Sequence, residues 1–191
     1  YCRDYWSECE PEFHIAVTRD DLQMEQKLLD LEADEEGLKR RKFSDMFLER
    51  SVIQRKVAEF LITRNVLMLH GSTVAVDGMA YLFTAPCGTG KSTHTKLYLE
   101  LFGNERAFII NDDKPAIKLG EDGKFYVHGT PWSGKDDLSA DTSALLQGIC
   151  FLQRDTENWI KRIDPQDAFL RMYHQCIRNL DKEYMVKQLN L

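Results

Sequence analysis

The segment Tyr81-Leu82-Phe83-Thr84-Ala85-Pro86-Cys87-Gly88-Thr89-Gly90-Lys91-Ser92-Thr93 has the residue types that hold a polyphosphate. A short apolar run enters a glycine-bearing loop, and the loop opens a helical stretch. Gly88 and Gly90 permit a curl in which backbone N–H groups face inward, and the following helix adds its unsatisfied N-terminal donors. Lys91 would place its charge on the outer phosphates of a nucleoside triphosphate, and the Ser92 hydroxyl would ligate Mg²⁺. Pro86, Cys87, Gly88, Thr89, Gly90, Lys91, Ser92 and Thr93 are the expected nucleotide-binding residues. The pattern G-x-x-x-x-G-K-[ST] is met except at its first position, where Ala85 stands.

A second acidic element completes such a site. Phe108-Ile109-Ile110 runs into Asn111-Asp112-Asp113, which puts two carboxylates at the C-terminal end of an apolar strand. In an α/β sheet that end faces the same crevice as a phosphate loop. Neighbouring residues of a regular strand point to opposite faces, so the two acids divide their work. One would hold the metal and the other would accept a proton from an attacking hydroxyl. A third stretch, His128-Gly129-Thr130-Pro131-Trp132-Ser133-Gly134-Lys135, follows another strand candidate. Gly129 and Gly134 allow a close approach of backbone to a ligand, and Ser133 and Lys135 would reach phosphate or the acceptor. A turn with Trp132 packed inward and Lys135 solvated is the blander alternative. Arg154 would serve either a phosphate or the surface, and His94 the adenine, the ribose or neither.

The elements that must position these groups are legible in the periodicities. Phe13–Val17 reads as a strand, and Asp20-Asp21 as the start of an acidic helix to about Leu31. The charged stretch Leu31–Lys42 reads as a flexible connection. Apolar residues recur at helical spacing from Phe43 to Leu61. Val66–Leu69 is a strand, and Asp77-Gly78 joins Ser72–Val76 to Ala80–Thr84 as a hairpin. Ser92–Phe102 is a helix. Phe108–Ile110 has the composition of a buried central strand. Glu121-Asp122-Gly123 marks a second hairpin between Ala116–Leu119 and Lys124–His128. Gly148–Leu152 and Trp159–Ile163 are further strands, and Asp164-Pro165 opens helical segments to the end. Hairpins beside one strand–loop–helix unit predict a single α/β domain over 1–191, with a mixed sheet and flanking helices.

With 191 residues, 43% of them hydrophobic, the chain suits such a domain. Its net charge of −6 argues against general binding to nucleic acid or anionic membrane, and no apolar run is long enough to span a bilayer. Lys39–Lys42 is basic but follows the acidic run Glu32–Glu36, which suggests a solvated mixed-charge segment. Five cysteines without metal-site spacing fit reduced thiols in the cytosol. Tyr1 and the helical character near Leu191 suggest that native sequence lies beyond both ends.

The assembled residues resemble the HPr kinase/phosphorylase and phosphoenolpyruvate-carboxykinase-like P-loop family, in the form found in uncharacterised bacterial members. The resemblance rests on His70-Gly71-Ser72, Gly88–Thr95, Asn111-Asp112-Asp113-Lys114-Pro115 and His128-Gly129-Thr130-Pro131-Trp132-x-Gly134-Lys135. His70 precedes Lys91 by 21 residues, a spacing similar to that of HPr kinases. The family's downstream Arg-Gly-Leu-Gly-like signature is absent, and the chain is short for a carboxykinase. What the resemblance implies is a kinase fold of this type and transfer of the γ-phosphate of Mg·ATP to a hydroxyl, such as a serine of a protein or peptide, or a small hydroxyl compound. His70 would assist proton transfer. Asp112 and Asp113 would share metal binding and base work, with Ser92 and Asp112 as the metal ligands. Lys91 and Lys135 would stabilise transferred charge. The resemblance also allows phosphate removal from phosphoserine and a homo-oligomer. The alternative is a nucleotide-gated binding module with little transfer chemistry.

Overall fold

The computed structural model describes residues 2–35, 37–177 and 182–191. It divides into two compact units, Glu8–Phe60 and a larger one made of Tyr1–Ser7 with Leu61–Leu191, where the sequence suggested one.

The smaller unit is helical. α1 spans Arg19–Glu35 and α2 spans Asp45–Ile62. Thr18 starts α1 through a reciprocal pair: the Asp21 N–H donates to Thr18 Oγ1 and the Thr18 N–H to Asp21 Oδ2. Phe13–Val17 forms no strand. Phe13 instead stacks on Phe60 of α2, with 3.9 Å between ring centroids. The expected flexible connection from Leu31 is helical as far as Glu35. Arg40 then pairs with Asp34, and Gln26 holds the Arg41 carbonyl and the Phe43 N–H. Charge there goes into local pairing. The buried Glu25 carboxylate takes two bonds from Arg55, at 2.8 and 3.0 Å.

The larger unit holds a seven-stranded mixed sheet with helices alongside. In chain order its strands are β1 (Val66–Met68), β2 (Ser72–Val76), β3 (Met79–Thr84), β4 (Ala107–Asn111), β5 (Ala116–Leu119), β6 (Phe125–His128) and β7 (Ser143–Phe151). The helices are α3 (Lys91–Phe102), α4 (Pro165–Tyr173) and α5 (Lys182–Leu189). The spatial order is β1-β5-β6-β7-β3-β2-β4. Only β3 and β7 pair in parallel; the other neighbours are antiparallel. Positive φ at Asp77 (50°) and Gly78 (80°) closes the β2–β3 hairpin.

Alternation along the strands makes two apolar layers. Val74, Val76, Phe83 and Ile109 face one way and pack with Tyr98, Leu99 and Phe102 of α3. Ala75, Leu82, Ile110, Val127 and Cys176 face the other way, joined by Met172 of α4. α4 begins as its sequence suggests, with Asp164 accepting from the Gln166 N–H and Pro165 in the first turn.

Two strand expectations fail. β4 is not central: it ends the strand order, pairing with β2 on one side and making only an isolated bridge, Asn111 to Ser139, on the other. Its apolar run is explained by coverage of both faces, since Ile109 and Ile110 enter opposite layers while Phe108 is exposed. Trp159–Ile163 pairs with nothing in the described residues, and Ile160 is almost fully exposed.

Candidate functional site

β2 runs antiparallel to both β3 and β4, so β3 and β4 point the same way. Three separate sequence features therefore meet at one end of the sheet. These are loop 85–92 after β3, Asp112-Asp113 after β4, and His70-Gly71 just before β2. β7, parallel to β3, also delivers its C-terminal residues there, with Phe151 opposite Thr84.

In loop 85–92, Gly88 and Gly90 have φ of 76° and 113°, in the region closed to most side chains. Gly90 caps α3, whose first residue is Lys91. Lys91 is buried, and its ammonium donates to the Ala85 carbonyl at 2.9 Å and the Pro86 carbonyl at 3.3 Å. Burying an ammonium is costly unless polar partners surround it. Here the loop's own carbonyls supply part of that shell. Thr89 closes the loop through its N–H and hydroxyl, both donating to the Pro86 carbonyl. Cys87 and Thr93 are exposed.

Ser92 turns towards the acids: its hydroxyl donates to the Asp112 backbone carbonyl at 3.2 Å. Ser72 and Thr95 share a buried hydroxyl–hydroxyl bond of 2.7 Å that joins the start of β2 to the first turns of α3. Thr84 Oγ1 donates to the His70 carbonyl at 2.7 Å, so the end of β3 fixes the approach to β2. The His70 N–H donates to the Gln175 carbonyl.

The two aspartates have opposite surroundings. The β2–β4 register slips by one residue between Thr73 and Val74, so that Ile110 bulges. A bulge re-aims the residues just past it. Asn111, fully buried, then holds the turn, its Oδ1 accepting from the N–H groups of Asp113 and Lys114. Its Nδ2 donates to Thr130. Asp112 is buried. Its Oδ1 accepts from the Gly134 N–H at 2.6 Å, while its Oδ2 has no hydrogen-bond partner. Burial, with the nearby charges of Asp113 and Asp136, pushes the Asp112 carboxyl above its usual range. Asp113 is half-buried between His70 Nε2 at 3.3 Å and Lys114 Nζ at 3.2 Å. These partners outweigh its desolvation and hold its carboxyl at about 2. Burial pushes the His70 imidazole down, against the opposing pull of Asp113, so its neutral form is favoured.

The 128–135 stretch plays a different part from the one its glycines suggested. A Cβ on Gly129 would lie 1.9 Å from the Ala140 carbonyl oxygen, and one on Gly134 would lie 3.1 Å from Asp112 Oδ2. Both glycines therefore admit other parts of the chain. Trp132 is packed inside, and the Ser133 hydroxyl is bonded to Asp137. Lys135 is exposed next to Gly134, and Asp136 pairs with Lys96 at 2.7 Å. His94 packs on the rings of Phe83 and Tyr98.

Arg154 is the contributor that sequence reasoning undervalued. From the end of β7 it donates to the Gly88 carbonyl at 2.5 Å, across the rim of loop 85–92. Nothing local announces this, because the contact depends on the β3–β7 pairing. Ser72, Thr95 and Asn111, quoted above within the resemblance, also serve as supports.

Among the described residues no group of three or more His, Cys, Asp and Glu could hold a metal ion. An orphaned, buried carboxylate oxygen, on a residue whose backbone carbonyl accepts from the Ser92 hydroxyl, suits an ion that takes its remaining ligands from a bound phosphate and water, as Mg²⁺ does. No helix among the described residues is long and apolar enough to cross a membrane. No protein-family model and no curated protein sequence matches the chain.

Proposed function

We propose that this chain is a P-loop phosphotransferase of the HPr kinase/carboxykinase-like type, moving the γ-phosphate of Mg·ATP to a hydroxyl of a protein, peptide or small molecule. The observation that carries the reading is the meeting of buried Lys91, Ser92 and the unpartnered Asp112 Oδ2 at the sheet end where His70 and Asp113 also lie.

In this reading Lys91 leaves the Ala85 and Pro86 carbonyls to hold the donor phosphates, helped by loop N–H groups and the start of α3. Mg²⁺, held by Ser92 and Asp112, would supply charge neutralisation. Asp112 is suited to that part because its carboxylate is costly to bury alone and gains most from a cation. Asp113 and His70 orient the acceptor hydroxyl. Neither is a strong base, which suits phosphoryl transfer with a loose transition state and little need for early deprotonation. Lys135 would meet transferred charge once substrate is bound.

A nucleotide-gated binding module is the second reading. It is favoured by the Asp113 carboxyl's position at about 2, which makes it a weak proton acceptor. Label from γ-labelled ATP separates the two. The wild type, with Mg²⁺ and a peptide fraction, should move label to an acceptor, and Lys91→Ala and Asp113→Asn should not. Nucleotide binding without label transfer would establish the module. Unchanged turnover in Lys91→Ala would sink the kinase.

A further inference from the structure

Beyond the phosphate loop, the larger unit holds an open cavity of about 480 Å³. Pro86 and Thr89 of loop 85–92 form one wall, Phe151 and Arg154 at the end of β7 a second, and Arg171 and His174 at the end of α4 a third. Two guanidinium groups and an imidazole line it, and among the described residues no carboxylate does. In a chain of net charge −6 that is a local reversal of sign. Arg154 is committed to the Gly88 carbonyl, which fixes its direction, while Arg171 is exposed. The cavity also adjoins the reacting centre: Gln175 lines it and accepts the His70 N–H at 2.7 Å, and His70 bonds Asp113.

We infer that this cavity is the acceptor subsite, and that it selects an acceptor carrying an anionic group, a carboxylate or a phosphate monoester, near the hydroxyl to be modified. This rests on the kinase reading above. An anion between Arg154 and Arg171 would sit beside the loop that holds the donor and next to the His70–Asp113 pair that meets the hydroxyl. Planar guanidinium groups suit both anion types, and Phe151 and Pro86 would cover the apolar part of the acceptor.

The test uses the full chain loaded with Mg²⁺ and a non-hydrolysable ATP analogue, so that the phosphate loop is filled. Inorganic phosphate and succinate are titrated separately while backbone amide resonances are followed. One or both should shift residues 151–154 and 171–175, and the tighter of the two identifies the preferred anion. Arg171→Gln should weaken that binding by about tenfold or more, with analogue affinity unchanged. Absence of shifts with both anions overturns the inference, as does equal anion affinity in Arg171→Gln. Loss of analogue affinity with anion affinity retained would place nucleotide in the cavity and also overturn it. If the wild type binds no analogue, the kinase reading fails by itself. The same titration on unloaded Lys91→Ala then still decides whether the cavity is an anion site.

Discussion

At the turn end of the β2–β3 hairpin, Asp77 and Arg106 form a two-bond ion pair in open solvent, at 2.9 and 2.6 Å. At the other end, Lys91 lies buried against backbone carbonyls and Asp112 is buried with one oxygen unpartnered. The first pair needs nothing, because water completes its shell. At the buried end Lys91 is desolvated against loop carbonyls, and the unpartnered Asp112 Oδ2 is a standing cost to the fold. A cation and an aspartate near each end of one hairpin thus have different meanings. The exposed pair trims a turn, whereas the buried Asp112 carboxylate has an oxygen with no hydrogen-bond partner.

The largest effect that would sharpen this contrast is structural. Gly129→Ala forces a methyl into the Ala140 carbonyl and should destabilise the larger unit by about 3 kcal/mol or more, read as a drop in denaturant midpoint. Lys91→Ala should weaken ATP binding by about 2–3 kcal/mol while the fold survives, measured by calorimetric titration. Asp112→Asn should separate function from stability. Removing the buried charge should raise thermal stability by about 1 kcal/mol and abolish the Mg²⁺ dependence of nucleotide binding. A less stable Asp112→Asn protein would show that Asp112 is satisfied, and the contrast would collapse.

Acid titration tests the adjacent aspartates against each other. Asp113 is depressed in the fold, so its contribution is present above its ordinary value of 3.8 and is lost as pH falls towards about 2. That contribution is on the order of 2 kcal/mol. Asp112 is raised, so acidification through its folded value relieves a cost. Acid unfolding followed by circular dichroism should therefore become shallower in Asp113→Asn. Smallest of all, Arg106→Ala should leave the unfolding midpoint and nucleotide affinity unchanged within error, as expected for an exposed pair.

How much of this was legible in the sequence depended on how far apart the cooperating residues lie. Loop 85–92 and Asn111-Asp112-Asp113 are contiguous, so residue type and flanking periodicity sufficed. The hairpins at Asp77-Gly78 and Gly123 were equally local. The edge position of β4 was not legible, because an apolar run reports coverage of faces and not the number of hydrogen-bonded neighbours. Phe13–Val17 has the composition of a strand, but composition does not distinguish strand pairing from the stacking of Phe13 on a helix ring. Gly134 looked like a ligand contact because its actual neighbour, Asp112, is 22 residues away and met only through the folded sheet. Arg154 and the cavity beside it were hidden for the same reason.

The lone parallel pairing, β3 with β7, also has a consequence in time. The β2–β3 and β5–β6 hairpins close over a few residues, on a scale of microseconds. Thr84 and Phe151 are 67 residues apart (151 − 84), so their pairing must wait for a long loop to close. Arg154 reaches the loop rim only after that step. During refolding the glycine loop exists first as the end of a bare hairpin, and competence for nucleotide should arise as the last kinetic phase, after most of the secondary structure has formed.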